Sequence, residues 1–143
     1  MKSVSTIAAG LALSVALVAP ALAGPGADLA DAHFKAIAAG DVAAVTAVYG
    51  KGSVFQWVGG PLDGDYRGKE AIAGVWAKFT KAQGKLKIDV SDVKENANPK
   101  GVTVSANVKF TGKATIPVRY VLTYREGVLV NEVWQIDPAL GKY

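Results

Sequence analysis

One carboxylate stands inside an apolar alternation, and it is the residue best placed to do chemistry. In Val128, Val130, Glu132, Trp134 and Ile136, Glu132 takes a phase otherwise held by apolar side chains. If that phase faces the interior, Glu132 is an inward acid and a candidate general base. If the phase is reversed or broken by a bulge, Leu129, Asn131, Val133 and Gln135 face inward and Glu132 is solvated, because a slip of one residue swaps the faces of a strand. His33, the single histidine, falls within an apolar helix face. It is either a core histidine with one partner or a donor or base lining a pocket, tunable near neutral pH. Tyr120 adds a hydroxyl in an apolar phase, so His33, Glu132 and Tyr120 are the catalytic candidates.

The other candidate lining residues are aromatic. Phe55, Trp57, Trp76, Tyr120 and Trp134 occupy core-facing phases and, with His33, would suit an apolar or planar ligand held by one or two polar groups. With one histidine and no cysteine the chain offers no metal site and no cysteine nucleophile, and no cofactor is expected. Asp63 and Asp65 flank Gly64 as in a turn, without the continued ligand spacing of a calcium loop. Gly59-Gly60 lacks the Gly-Lys-Ser/Thr that completes a phosphate loop.

These residues must be positioned by helices that come first and strands that come last. A helix is expected from about Asp28 to Ala39, with Leu29, His33 and Ile37 in one apolar row and Ala30, Phe34 and Ala38 in the next. Gly40 suits the position after its end, and Asp41 can cap a second helix over 42–49 that buries Val42, Val45, Val48 and Tyr49. Gly50-Lys51-Gly52 breaks that helix, and 53–58 reads as a strand. After a turn at 63–65, a third helix over about 69–82 lays Ile72, Val75, Trp76 and Phe79 on the core. Four alternating strands follow, near 86–91, 102–110, 116–124 and 128–136, with a long turn at 96–101. Pro117 suggests an edge position or a bulge. The pattern is an α+β domain, an antiparallel meander with one buried face packed against helices.

Residues 1–23 read as a secretory signal peptide. Lys2 precedes a small, apolar run over 7–18, and Pro20 leads into Ala21-Leu22-Ala23, so cleavage is expected after Ala23. The run is shorter than the ~20 residues a bilayer span needs. The remaining 24–143 form a single domain of 120 residues, expected in the periplasm or secreted, with no membrane association after cleavage. The formal charge of +4 becomes +3 without Lys2. The lysines at 78, 81, 85 and 87 lie around a helix end and read as a solvated face, and nucleic acid is not an expected partner.

The chain resembles the nuclear transport factor 2-like superfamily, within it the SnoaL-like and ketosteroid-isomerase-like branch. The resemblance is carried by 34–41, by Val54-Phe55-Gln56-Trp57, by Tyr66-Arg67-Gly68-Lys69-Glu70-Ala71-Ile72, and by 127–130 leading to Trp134-Gln135-Ile136-Asp137-Pro138. It implies a cone-shaped fold in which a curved antiparallel sheet packs on about three helices around a pocket. Its members include isomerases, cyclases, hydrolases, dehydratases and binding proteins. Set against the isomerase pattern, the oxyanion-hole tyrosine falls on His33, the general-base aspartate on Trp57 or Gln56, and the proton-donating aspartate on Tyr120. No carboxylate stands where that base must be. The expected function is therefore binding of a small, apolar or planar ligand in a conical pocket by an exported protein. Two alternatives are carried beside it. One is an isomerase, lyase or hydrolase using His33 and Glu132 as acid and base with Tyr120 as a donor. The other is a homodimeric interaction module, with Leu129, Val121 and Val133 on the outer face of the sheet.

Overall fold

A computed structural model describes residues 24–142, so the signal peptide expected at 1–23 lies outside the described residues. Pro25 opens the first helix, α1 (Pro25–Ala39), where a missing N–H costs nothing. Its buried face is Ala30, His33, Phe34, Ile37 and Ala38, whereas Leu29 turns outward at 37% exposure, one row further round than its spacing suggested. No side chain of its own caps α1. Glu95 does so from across the fold, accepting the Ala27 N–H at 2.8 Å. Gly40 ends α1 at φ +70°, a left-handed conformation that a glycine adopts at little cost. Asp41 then caps α2 (Val42–Ala47) by accepting from the Ala44 N–H at 3.0 Å.

The second helix is shorter than its sequence suggests. It stops at Ala47, and Tyr49 is the first residue of β1 (Tyr49–Val58). Gly50 and Gly52 do not break the chain; they belong to an irregular start of the strand, where the register with its neighbour shifts between Tyr49 and Val54. Val42 and Val48 are half-buried, and Val45 and Tyr49 are buried. The segment read as a turn at 63–65 contains the start of a further strand, β2 (Gly64–Arg67), antiparallel to β1. Gly68, at φ +84°, swings the chain into α3 (Lys69–Gln83), which buries Ile72, Val75, Trp76 and Phe79.

β3 (Lys87–Asn98), β4 (Gly101–Thr111), β5 (Thr115–Arg125) and β6 (Val128–Ile136) form the expected meander. β3 and β4 run up to Asn98 and from Gly101, so the turn is tighter than 96–101. The six strands make one sheet, in the order β2-β1-β6-β5-β4-β3. All pairs are antiparallel except β1 with β6. The result is an α+β cone, a curved unclosed sheet with three helices against its inner face, as expected for a nuclear transport factor 2-like fold. Pro117 is neither at an edge nor in a bulge, because β5 is interior. Its carbonyl accepts from the Asp137 N–H at 2.9 Å, so its missing N–H falls on the same side, just past the end of β6.

The inner face alternates cleanly on β4 and β5, where Val104, Ala106, Val108, Phe110, Val118, Tyr120, Leu122 and Tyr124 are buried. On β6 the alternation breaks. Thr123 pairs with Asn131 and Tyr124 with Leu129, leaving Val130 as an extra residue. Leu129 and Glu132, three apart, therefore both point inward. Glu132 and Trp134 thus face inward as the first phase reading has them, while Val128 and Val130 do not, and the bulge removes Leu129 from the outer face without exposing Glu132.

Candidate functional site

Glu132 is fully buried, and three donors converge on its carboxylate. Tyr120 faces it from β5 and donates to Oε1 at 2.5 Å. Tyr49, from the irregular start of β1, donates to Oε2 at 2.7 Å. His33 Nε2, from α1, lies 3.2 Å from the same Oε2. It also lies 3.4 Å from the Tyr49 hydroxyl. The Tyr49 oxygen in turn accepts from Trp76 Nε1 on α3 at 2.8 Å. Both oxygens beside His33 Nε2 thus present lone pairs, because the Tyr49 proton is committed to Glu132. In that arrangement Nε2 is the donor toward both. His33 Nδ1 is buried without a partner among the described residues, and so is the Tyr124 hydroxyl.

The electrostatics follow from burial around one acid. Burial first, and then the neighbouring Glu132 charge, push the Tyr49 and Tyr120 hydroxyls well above the usual tyrosine range. Tyr124 is raised for the same two reasons in the same order. These phenols stay protonated and act as donors. Among the described residues no group of three metal-ligating side chains is gathered, and the site is built for hydrogen bonding.

Aromatic rings seal this cluster. Trp134 packs edge-on against Tyr120 at 5.4 Å between ring centroids. Trp76 meets His33 edge-on at 6.2 Å. Outside them lie Trp57, 4.7 Å from Trp134, and Phe79, 5.5 Å from it. Phe55 stacks on Trp76 at 5.2 Å and 13°.

Beyond Trp57 and Phe79 the cone opens. A pocket of about 360 Å³ lies between α3 (Lys78, Phe79, Ala82, Gln83), the 59–63 turn (Pro61, Leu62), the start of β5 (Thr115, Ile116, Pro117), Trp57 and Ile136. Its lip is held by two local bonds. The Tyr66 hydroxyl donates to the Leu62 carbonyl at 2.7 Å, and Asp63 Oδ1 accepts the Gly59 N–H at 2.7 Å. Asp63 is thus a turn residue. The lining is almost wholly apolar, the kind of surface that takes a small apolar molecule.

The predicted site residues therefore separate. His33, Glu132 and Tyr120 meet in one hydrogen-bonded cluster. Of the six expected lining residues, Trp57 reaches the pocket. Phe55, Trp76, Trp134, Tyr120 and His33 lie in the core behind it. Gln56, the other position matched to the isomerase base, is on the opposite face of β1 from Trp57. Tyr49 was missed as a site residue because two glycines hid the strand it begins. The buried positions Ser53, Phe55 and Trp57 share its odd-numbered phase, and that phase was the available signal.

The sequence profile of the SnoaL-like domain matches residues 30–131, most of the described chain. The protein belongs to the SnoaL-like family. Solved structures with the same fold include a nuclear transport factor 2-like protein of unknown function from Pseudomonas putida, 15% identical with a TM-score of 0.68, covering 80% of this chain and 86% of that one. A nuclear transport factor 2-like protein from Cytophaga hutchinsonii is 17% identical with a TM-score of 0.61, covering 77% and 93%. A hypothetical protein with a ketosteroid isomerase-like fold from Catenulispora acidiphila, solved with trimethylamine, is 16% identical with a TM-score of 0.57, covering 78% and 87%. No curated protein matches this SnoaL-like chain significantly. At such identities the likeness is one of fold, and function has to be argued from the site.

Proposed function

We propose that this SnoaL-like protein is an exported binding protein that holds a small apolar molecule in the pocket bounded by Trp57, Phe79, Ile116 and Ile136, without turning it over. The observation that carries the proposal is the separation of the two sites. The pocket is open and apolar, while Glu132, the one buried acid among the described residues, lies behind two layers of rings with both carboxylate oxygens engaged. A general base must come within hydrogen-bond reach of the proton it removes, and Glu132 does not line the pocket. Export is supported by the signal-like pattern at 1–23. A ligand at 100 times its Kd stabilises by about 2.7 kcal/mol, a rise in Tm of roughly 10 °C for a domain of this size. A metabolite panel read by tryptophan fluorescence and Tm tests the proposal; no shift from any apolar compound would overturn it.

A second reading is favoured by the cluster itself. A buried carboxylate with two tyrosines and a histidine is the equipment of acid–base catalysis, and Glu132 would be the base with His33 and Tyr120 as partners. It requires the Trp76 and Trp134 layer to open. Turnover of a pocket ligand that is lost in Glu132→Gln while binding persists would favour this enzyme reading over simple binding. Homodimerisation through the outer sheet face is also proposed, on the adjacent Val121 and Val133, which pair across β5 and β6. Sedimentation at micromolar concentration, with Val133→Lys as the disrupting variant, decides it.

A further inference from the structure

The pocket is apolar in its body, and its charge is of one sign. Lys78 is the single charged residue among those lining it, and no carboxylate is among them. Lys78 forms no ion pair among the described residues, unlike Lys35 and Lys94, which have aspartate partners. Two acids adjoin lining residues in sequence, Asp63 beside Leu62 and Asp137 beside Ile136; each accepts a backbone N–H at Oδ1, from Gly59 and Ala139, and neither lines the pocket. Gln83 and Thr115 add an amide and a hydroxyl to the same lining. One cation and two neutral hydrogen-bonding groups beside a wall of Trp57, Phe79, Ile116 and Ile136 form a complement to an amphiphile with a negative head.

We infer that the pocket selects a monoanionic apolar molecule, a carboxylate on a hydrophobic body, whose head pairs with Lys78 while the body packs on Trp57, Phe79, Ile116 and Ile136. This rests on the reading of the pocket as a ligand site and goes further by fixing the ligand's charge. Uncharged analogues keep the apolar contacts and lose the ion pair. Cationic analogues keep the contacts and meet a like charge.

Three compounds sharing one apolar body test it: 2-naphthoate, 2-naphthalenemethanol and 2-naphthylmethylamine, titrated calorimetrically into the purified protein at pH 7 and low salt. A partly exposed ion pair contributes up to about 1 kcal/mol, roughly fivefold in Kd. The acid is expected to bind about fivefold more tightly than the alcohol, and the amine about fivefold more weakly. The gaps should shrink as salt is added. Lys78→Glu should reverse the order of acid and amine. Equal binding of the three compounds overturns the inference and leaves the pocket reading intact. So does an acid preference that survives Lys78→Glu, because the acid would then be held elsewhere. If none of the three binds, both the inference and the pocket reading fall.

Discussion

Replacing Glu132 by glutamine keeps the shape of the side chain and removes one acceptor and the charge. In the native protein three donors, Tyr49, Tyr120 and His33, end on the carboxylate at 2.7, 2.5 and 3.2 Å. Hydrogen bonds to a charged group contribute about 1.5–3 kcal/mol each and neutral ones about 0.5–1.5. The substituted amide could accept at its one oxygen, but its NH₂ group would face a donor. One or two bonds then become neutral, and at least one buried donor loses its acceptor. The expected loss is about 3 kcal/mol, within the ~3–5 kcal/mol that follows removal of one partner from a buried charged pair. The cost of burying the charge is recovered when glutamine replaces Glu132, which keeps the value at the low end. Urea unfolding, followed by circular dichroism and tryptophan fluorescence together, measures it at unchanged m-value. A double-mutant cycle with Tyr120→Phe localises it, with a coupling of about 1–2 kcal/mol expected for groups in direct contact. A loss below about 1 kcal/mol, or a Tyr120→Phe cost that is the same in both backgrounds, would refute the network as drawn.

Other expectations follow from the same geometry. Ser53, buried, accepts the Gly50 N–H at 2.9 Å and donates to the Leu129 carbonyl at 2.6 Å, so Ser53→Ala should cost about 1–3 kcal/mol in urea unfolding through the groups left unpaired. Tyr49, Tyr120 and Tyr124 all have folded-state pKa values raised above that of an unfolded tyrosine. The folded protein therefore keeps protons that the unfolded chain loses: stability is complete below about pH 10 and falls as pH rises above it, by up to about 1.4 kcal/mol per unit for each tyrosine. Unfolding at about pH 9 to 11 checks this, and Tyr124→Phe should remove one tyrosine's share of the slope. A Cβ on Gly26 would lie 2.5 Å from Val102 Cγ2, so Gly26→Ala should destabilise by about 1–3 kcal/mol despite its better helix propensity, with Val102→Ala recovering most of the loss.

The sequence made most of the cone legible, because long segments with a single period carry their own signal. The rows of α1 and α3 and the alternation of β4 and β5 needed no tertiary information. Legibility failed where local chemistry and global pairing disagree. Asp63-Gly64-Asp65 has turn residues, yet Gly64–Arg67 pairs with β1, and the pairing partner overrides the weak strand preference of Gly and Asp. At the site, His33, Tyr120 and Glu132 were found because a polar residue in an apolar phase stands out. Their meeting entered only as the alternative that pairs His33 with Glu132 beside Tyr120, since residues 99 positions apart meet only through the fold. Most of the pocket's lining was illegible for a different reason. Pro61, Leu62, Ile116, Pro117 and Ile136 look like ordinary turn and strand-end residues, and only the opening between α3 and the sheet makes them a surface.

Two departures from regular strand geometry, both at the lower end of β1 and β6, decide what the acid does. Tyr49 pairs with Leu129 and Val54 with Asn131, so β1 carries several residues more than β6 across the same stretch. On its other side β6 carries Val130 as an extra residue against β5. Ser53 ties the two irregular segments together through Gly50 and Leu129. A regular β6 keeping Leu129 on the core would place Asn131 and Val133 inward and expose Glu132. With the bulge, Leu129 closes the core and Glu132 still points into it, opposite Tyr120 and beside Tyr49. Burying a charge costs several kcal/mol before any hydrogen bond is counted, and a bulge gives up ladder bonds as well. A core needing only stability would be better served by leucine in place of Glu132 and an unbroken strand. The chain instead holds an acid, two phenols and an imidazole in a fixed array behind the rings that floor an apolar pocket. That arrangement is what motivates the second, enzyme reading, and turnover lost in Glu132→Gln with binding retained is the result that would favour it over simple binding.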